Sequence, residues 1–188
     1  MAGQGRLPAL WLFSDPHRLP DPRPAILRLP KGRAGVVLRN PEPALARAAA
    51  RLCRARRITL AIGGDWRLAA ALGAGLHLRS AGMVRRSGLK PRFLTASAHS
   101  RVELHRAARH GVALAFLSPV FPTPSHPGAV ALGVVRWAAL AARAPLPLVA
   151  LGGITGKTAR RLPRRLCAGI AAITALSAPL APIISSPA

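Results

Sequence analysis

Tyrosine is absent, and four phenylalanines and three tryptophans are the only large aromatics in 188 residues. Single-stranded nucleic acid is usually held on aromatic stacking platforms, so this scarcity argues against such a role. Cysteine is almost as rare. Cys53 and Cys167 are too few and too far apart for a metal motif or a disulfide framework, which makes a reducing, cytoplasmic setting the expectation. Acidic residues number five: Asp15, Asp21, Glu42, Asp65 and Glu103. Against them stand 28 basic residues and a formal net charge of +23. Lysine is scarce too, since only Lys31, Lys90 and Lys157 are not arginine. So one-sided a charge raises nucleic acid as a partner. An arginine excess beside abundant Ala, Gly and Pro also fits compositional drift of a high-GC coding sequence, and a basic surface suits small phosphorylated ligands equally.

Long uninterrupted hydrophobic runs are missing as well. The last nineteen positions, 170–188, carry no charge, but Pro179, Pro182 and Pro187 with three serines argue against a membrane span. They read as a buried strand followed by a loose tail. The first residues lack the charged start, apolar centre and cleavage site of a secretory leader. A chain of this length is expected to form one domain over 1–188, with a folded part at about 7–177 and a tail at 178–188.

Short apolar runs alternate with helix-like segments. Strands are expected at 7–14, 34–40, 58–64, 74–80, 93–98, 112–120, 147–151 and 168–176. Between them lie a brief helix near Ala25 to Leu29 and a helix from Pro43 to Arg56 with Ala and Leu on one face. Asp65 caps a third helix over 66–72. A basic stretch at 85–92 has room for a short helix at best. Further helices are expected at 100–110, 130–143 and 156–166, the last kinked at Pro163. Strands apolar throughout are buried on both faces, as in parallel sheets. Eight βα units predict a closed TIM (βα)8 barrel of α/β class with reduced first and fourth helices, because the chain is short for that fold. A doubly wound open sheet is the structural alternative.

In such a barrel ligands bind where the strands end. The strand exits are Asp15, Arg39 with Asn40, Gly64 with Asp65, His77 with Arg79, Ser97 with His99, Thr123 to His126, Gly152 with Gly153, and Thr174. Hydroxyls, glycine turns and cations at these exits suit an anion, since exposed backbone N–H groups favour phosphate. His77 and His99, on neighbouring strands, raise a metal reading that lacks a third ligand.

Four segments agree in order and spacing with one family. They are Ala96-Ser97-Ala98-His99-Ser100, Ser118 to His126, Val149 to Ile154, and Ala168-Gly169 with Ile173-Thr174-Ala175-Leu176. Together they resemble thiamine phosphate synthase over about residues 7–177. The resemblance implies a TIM barrel that joins an aminopyrimidine pyrophosphate to a thiazole phosphate, releases pyrophosphate and uses magnesium. It also implies roles by position. Thr123 and Ser125 match hydroxyls that hold the pyrophosphate, and His126 stands where the family has lysine. Gly152, Gly153, Ile173 and Thr174 match the thiazole phosphate site. Ser97 matches the serine of the fifth strand, Arg39 an arginine after the second strand, and Asp65 a magnesium-binding aspartate.

The sequence departs from the family where metal and pyrimidine bind. Val37 and Pro41 replace a glutamine and a lysine, Gly64 replaces an asparagine, and no carboxylate follows His77-Leu78. Asp65 therefore reads as a helix cap as readily as a metal ligand, and Arg39 as a rim ion pair as readily as a substrate clamp. A non-catalytic paralogue that binds a phosphorylated ligand is the functional alternative. The related thiazole tautomerases carry a histidine where this chain has Pro119.

Overall fold

The computed structural model describes residues 7–79, 91–123, 128 and 130–177. Eight strands form one closed parallel barrel: β1 Leu10–Phe13, β2 Ala34–Arg39, β3 Thr59–Gly63, β4 Gly75–Leu78, β5 Leu94–Ala98, β6 Leu114–Leu117, β7 Leu148–Ala150 and β8 Gly169–Ala172. Closure is made by β1, which pairs with β2 on one side and with β8 on the other. The open-sheet alternative is thereby ruled out. The helices are α1 Arg23–Arg28, α2 Pro43–Ala55, α3 Trp66–Ala71, α4 Arg101–Arg109, α5 Gly133–Ala141, α6 Gly156–Ala159 and α7 Thr174–Ser177. The first is short, as the proline-rich sequence predicts. The expected reduction of the fourth βα helix falls on 80–90, outside the described residues.

Three expectations overshoot. The helix expected over 156–166 ends at Ala159, because Pro163 cannot donate to a helical ladder and disfavours helical geometry at Leu162. The sixth strand stops at Leu117 rather than Val120, where a cis Ser118–Pro119 bond turns the chain. The eighth stops at Ala172, so Ile173 and Thr174 form its exit and Thr174 opens α7.

Side chains fill the barrel interior. Trp11 and Phe116 meet edge to face at 5.4 Å, Phe13 and Phe116 at 4.7 Å, and His77 lies 5.3 Å from Phe13 and 5.5 Å from Phe116. Each such aromatic pair adds about 0.5–1.5 kcal/mol beyond area burial. Bulk here demands its absence nearby. A Cβ at Gly35 lies 2.4 Å from the Trp11 ring, and one at Gly75 2.3 Å from the Phe93 ring. Outside, α2 buries Ala46, Ala49, Ala50 and Cys53. Burial pushes the Cys53 thiol up to about 12, so it packs as a small inert hydrophobe.

Gly35→Ala tests this packing, because Trp11 is fully buried with no room to retreat. Urea unfolding is expected to show a loss of about 1–3 kcal/mol, typical of an overpacked core. Gly156→Ala, where nothing lies within 4 Å of the new methyl, is expected to be neutral or slightly stabilising.

Candidate active site

The barrel mouth is built from strand exits, and the β1 and β2 exits are tied together. Asp15, 7% exposed, receives the backbone N–H groups of His17 and Arg18 at 3.1 and 3.0 Å and the Arg18 guanidinium at 2.9 Å. Arg39 joins it through an ion pair from Nη2 to Asp15 Oδ2. Arg39 also donates from Nε to the Ser14 carbonyl at 2.9 Å and from its backbone N–H to Ser14 Oγ at 2.8 Å. Burial alone raises the Asp15 pKa. The hydrogen bonds from Arg18 and His17, with the Arg18 charge, override that and hold the carboxyl well below its usual range. Arg39 is thus a rim ion-pair residue, oriented by β1.

At the β3 exit, Asp65 Oδ1 accepts the Leu68 N–H at 2.9 Å and caps α3. Beside it, Asn40 adopts a left-handed backbone, and its Oδ1 lies 2.8 Å from where a Cβ at Gly64 stands. The Asn40 amide therefore lies against the position at which the sequence lacks an asparagine side chain, a relationship invisible in linear order.

The β4 and β5 exits share a buried polar chain. His77 Nδ1 lies 3.0 Å from Thr95 Oγ1 and Nε2 lies 3.1 Å from Ser97 Oγ. Both ring nitrogens are engaged by hydroxyls, so the metal reading of His77 with His99 fails. Burial first, and the nearby Arg39 charge second, push the His77 pKa down to about 3, so the ring is neutral. His99 Nδ1–H donates to the Ser118 carbonyl at 2.7 Å and fastens β5 to the β6 exit.

The β6 and β7 exits interlock. Val120 and Phe121 donate to Leu151 and Gly152 carbonyls at 3.0 and 3.1 Å. Gly152 and Gly153 have φ of +93° and +63°, and Cβ atoms there lie 2.7 Å from Pro119 Cα and 2.6 Å from the Pro122 carbonyl oxygen. Glycine is required at both. Thr158 Oγ1 donates to the Gly153 carbonyl at 2.9 Å and ties α6 to this turn. Thr123 follows half-buried, so Thr123, Gly152 and Gly153 lie on interlocked segments. Ile173, buried, and Thr174, exposed, sit at the β8 exit. Ser125 and His126 lie outside the described residues.

The donors available to a divalent cation do not fit one. Among the described residues no three His, Cys, Asp or Glu side chains group together. Asp65 is committed to its cap, Asp15 to two arginines, and Arg79 rather than a carboxylate follows β4. A hard dication takes several oxygen ligands, with one or two carboxylates among them. No described helix is long and apolar enough to cross a membrane.

The chain is a closed barrel of the TIM class whose strand exits carry a neutral histidine between two hydroxyls, a glycine pair and arginines. Sequence comparison identifies the family. A family model described as thiamine monophosphate synthase matches residues 33–176. Thiamine-phosphate synthase of Thiobacillus denitrificans is 33% identical over 135 residues, covering 69% of this chain and 63% of that protein. The Geobacillus kaustophilus protein of the same name is 31% identical over 150 residues, covering 74% and 66%. The solved structure of thiamine phosphate pyrophosphorylase from Pyrococcus furiosus superposes with a TM-score of 0.76 at 22% identity, over 92% of this chain and 89% of that one. The chain belongs to the thiamine monophosphate synthase family, and it spans less than two thirds of the length of these two sequence relatives.

Two predictions follow the geometry. Asp65→Ala is expected to lose about 1 kcal/mol in chemical unfolding and Asp65→Asn almost nothing, because asparagine caps equally well; a rate lost in the asparagine variant assigns the charge a role beyond the cap. The depressed Asp15 pKa means that its stabilisation is complete above the unfolded value, about 3.9, and is lost as pH falls towards the folded one. Acid unfolding of Asp15→Asn, followed by circular dichroism, is therefore expected to depend less on pH below about 4 than that of the unsubstituted protein.

Proposed function

We propose that the chain is a transferase of thiamine biosynthesis, joining an aminopyrimidine pyrophosphate to a thiazole phosphate and releasing pyrophosphate. The observation that carries this reading is the family match over 33–176, which takes in every strand exit from β2 to β8. In this reaction the bond from the pyrimidine's methylene carbon to the pyrophosphate oxygen breaks, and pyrophosphate leaves with the electron pair. The thiazole nitrogen then forms the new C–N bond. No protein nucleophile is needed, so the residues act by positioning and by stabilising the departing charge.

Ser97 and the aromatic floor beneath it receive the pyrimidine. Thr123, Ser125 and His126 take the pyrophosphate, and Gly152, Gly153, Ile173 and Thr174 take the thiazole phosphate. Arg39 and Arg79 supply positive charge at the rim. Magnesium bound by Asp65 is the family's expectation; with one carboxylate already capping a helix, arginine carries more of the charge neutralisation in this chain. The substrates are small phosphorylated molecules met in the cytoplasm, without a membrane or nucleic acid as partner.

Purified protein given both substrates is expected to form thiamine phosphate, detected by oxidation to a fluorescent thiochrome derivative. Parallel reactions with magnesium and with EDTA separate a metal contribution from arginine alone. Ser125→Ala combined with His126→Ala is expected to raise the KM for the pyrimidine pyrophosphate about tenfold or more, as lost charge-assisted hydrogen bonds do. Binding of thiazole phosphate with no product sinks the transferase reading in favour of the non-catalytic paralogue.

A further inference from the structure

The polar chain Thr95–His77–Ser97 has a direction. Thr95 is fully buried and His77 almost so, whereas Ser97 is half-buried at the strand exit. Among the described residues the Thr95 hydroxyl has one hydrogen-bond partner, His77 Nδ1 at 3.0 Å. A buried hydroxyl hydrogen left without an acceptor costs its full desolvation penalty, so the stable arrangement has Thr95 donating to Nδ1. A neutral imidazole has one donor and one acceptor nitrogen. Nδ1 being the acceptor, Nε2 carries the hydrogen and donates to Ser97 Oγ at 3.1 Å. The Ser97 hydrogen is then not spent inside the barrel.

We propose that His77 is a positioning residue that presents the Ser97 hydroxyl to the barrel mouth as a hydrogen-bond donor, matched to an acceptor nitrogen of a heteroaromatic ring. The ring cannot easily reverse this polarity. Phe13 and Phe116 pack edge-on against it at 5.3 and 5.5 Å, and Thr95 beside it is fully buried, out of reach of bulk solvent. Removing His77 leaves Ser97 in place with its hydrogen unassigned, so recognition weakens without loss of any group that touches the ligand. The inference rests on the pyrimidine-binding role proposed for Ser97.

Nitrogen-15 NMR of the histidine rings in the ligand-free protein decides the polarity without catalysis. His77 is expected as the neutral Nε2–H tautomer between pH 5 and 8; an Nδ1–H tautomer or a charged ring overturns the proposal. Steady-state kinetics decide its consequence. Ser97→Ala and His77→Leu are each expected to raise the KM for the aminopyrimidine pyrophosphate about tenfold, the worth of one hydrogen bond, while the KM for thiazole phosphate is unchanged. The double variant is expected to be no worse than either single one. His77→Gln, which retains an N–H donor at the same reach, is expected to recover part of the loss. Additive effects, or equal rises in both KM values, overturn the proposal. If the unsubstituted protein forms no thiamine phosphate, the transferase reading fails, and the NMR result still decides the polarity of Ser97.

Discussion

A closed barrel of eight strands encloses a lumen that only side chains can fill, and this chain has few large side chains with which to fill it. Trp11, Phe13 and Phe116 are assisted by a histidine, and Gly35 leaves the space that Trp11 occupies. Much else depends on that solution. A ring enclosed by aromatics cannot afford a charge, so His77 is neutral. A neutral ring with both nitrogens in use needs two hydroxyls, which β5 supplies at alternate positions, Thr95 and Ser97. The packed layer therefore reaches Ser97 near the β5 exit, and the core and the candidate site share residues.

The barrel was legible because strands buried on both faces read as continuous apolar runs, and there were eight of them. Their ends were less legible. Buried residues continue past Leu117 through Ser118 to Val120 and past Ala172 to Ile173, yet there the chain packs as loop and turn rather than ladder. Hydrophobicity reports burial, not hydrogen-bond pairing. The helix beyond Ala159 failed for a local reason, Pro163, whose effect extends beyond a kink.

The candidate site was legible as a list of strand exits and opaque as a set of contacts. Arg39 finds Asp15 across 24 positions, and His77 finds Thr95 and Ser97 across 18 and 20. Asn40 meets Gly64 because β2 and β3 are neighbours with Arg39 opposite Gly63. None of these pairs has a signature in linear order; each follows from the register once the barrel is closed. The two glycines of the β7 turn were legible as a turn, whereas their approach to Pro119 and Pro122, which excludes any side chain, was not.

The scarcity of acid, which the sequence displays at once, acquires its meaning from where the few acids go. Asp15 and Asp21 pair with arginines, Asp65 caps α3, and Glu103 accepts the His99 N–H at 2.6 Å. Each holds a strand exit, a loop or a helix start in place, and each is thereby less available to a cation. The arginines vastly outnumber them, so the chain as a whole remains strongly positive. A surface this basic attracts anions in general before any specific contact forms. Arg79, which directly follows β4, adds to that positive charge and supplies no ligand for a cation.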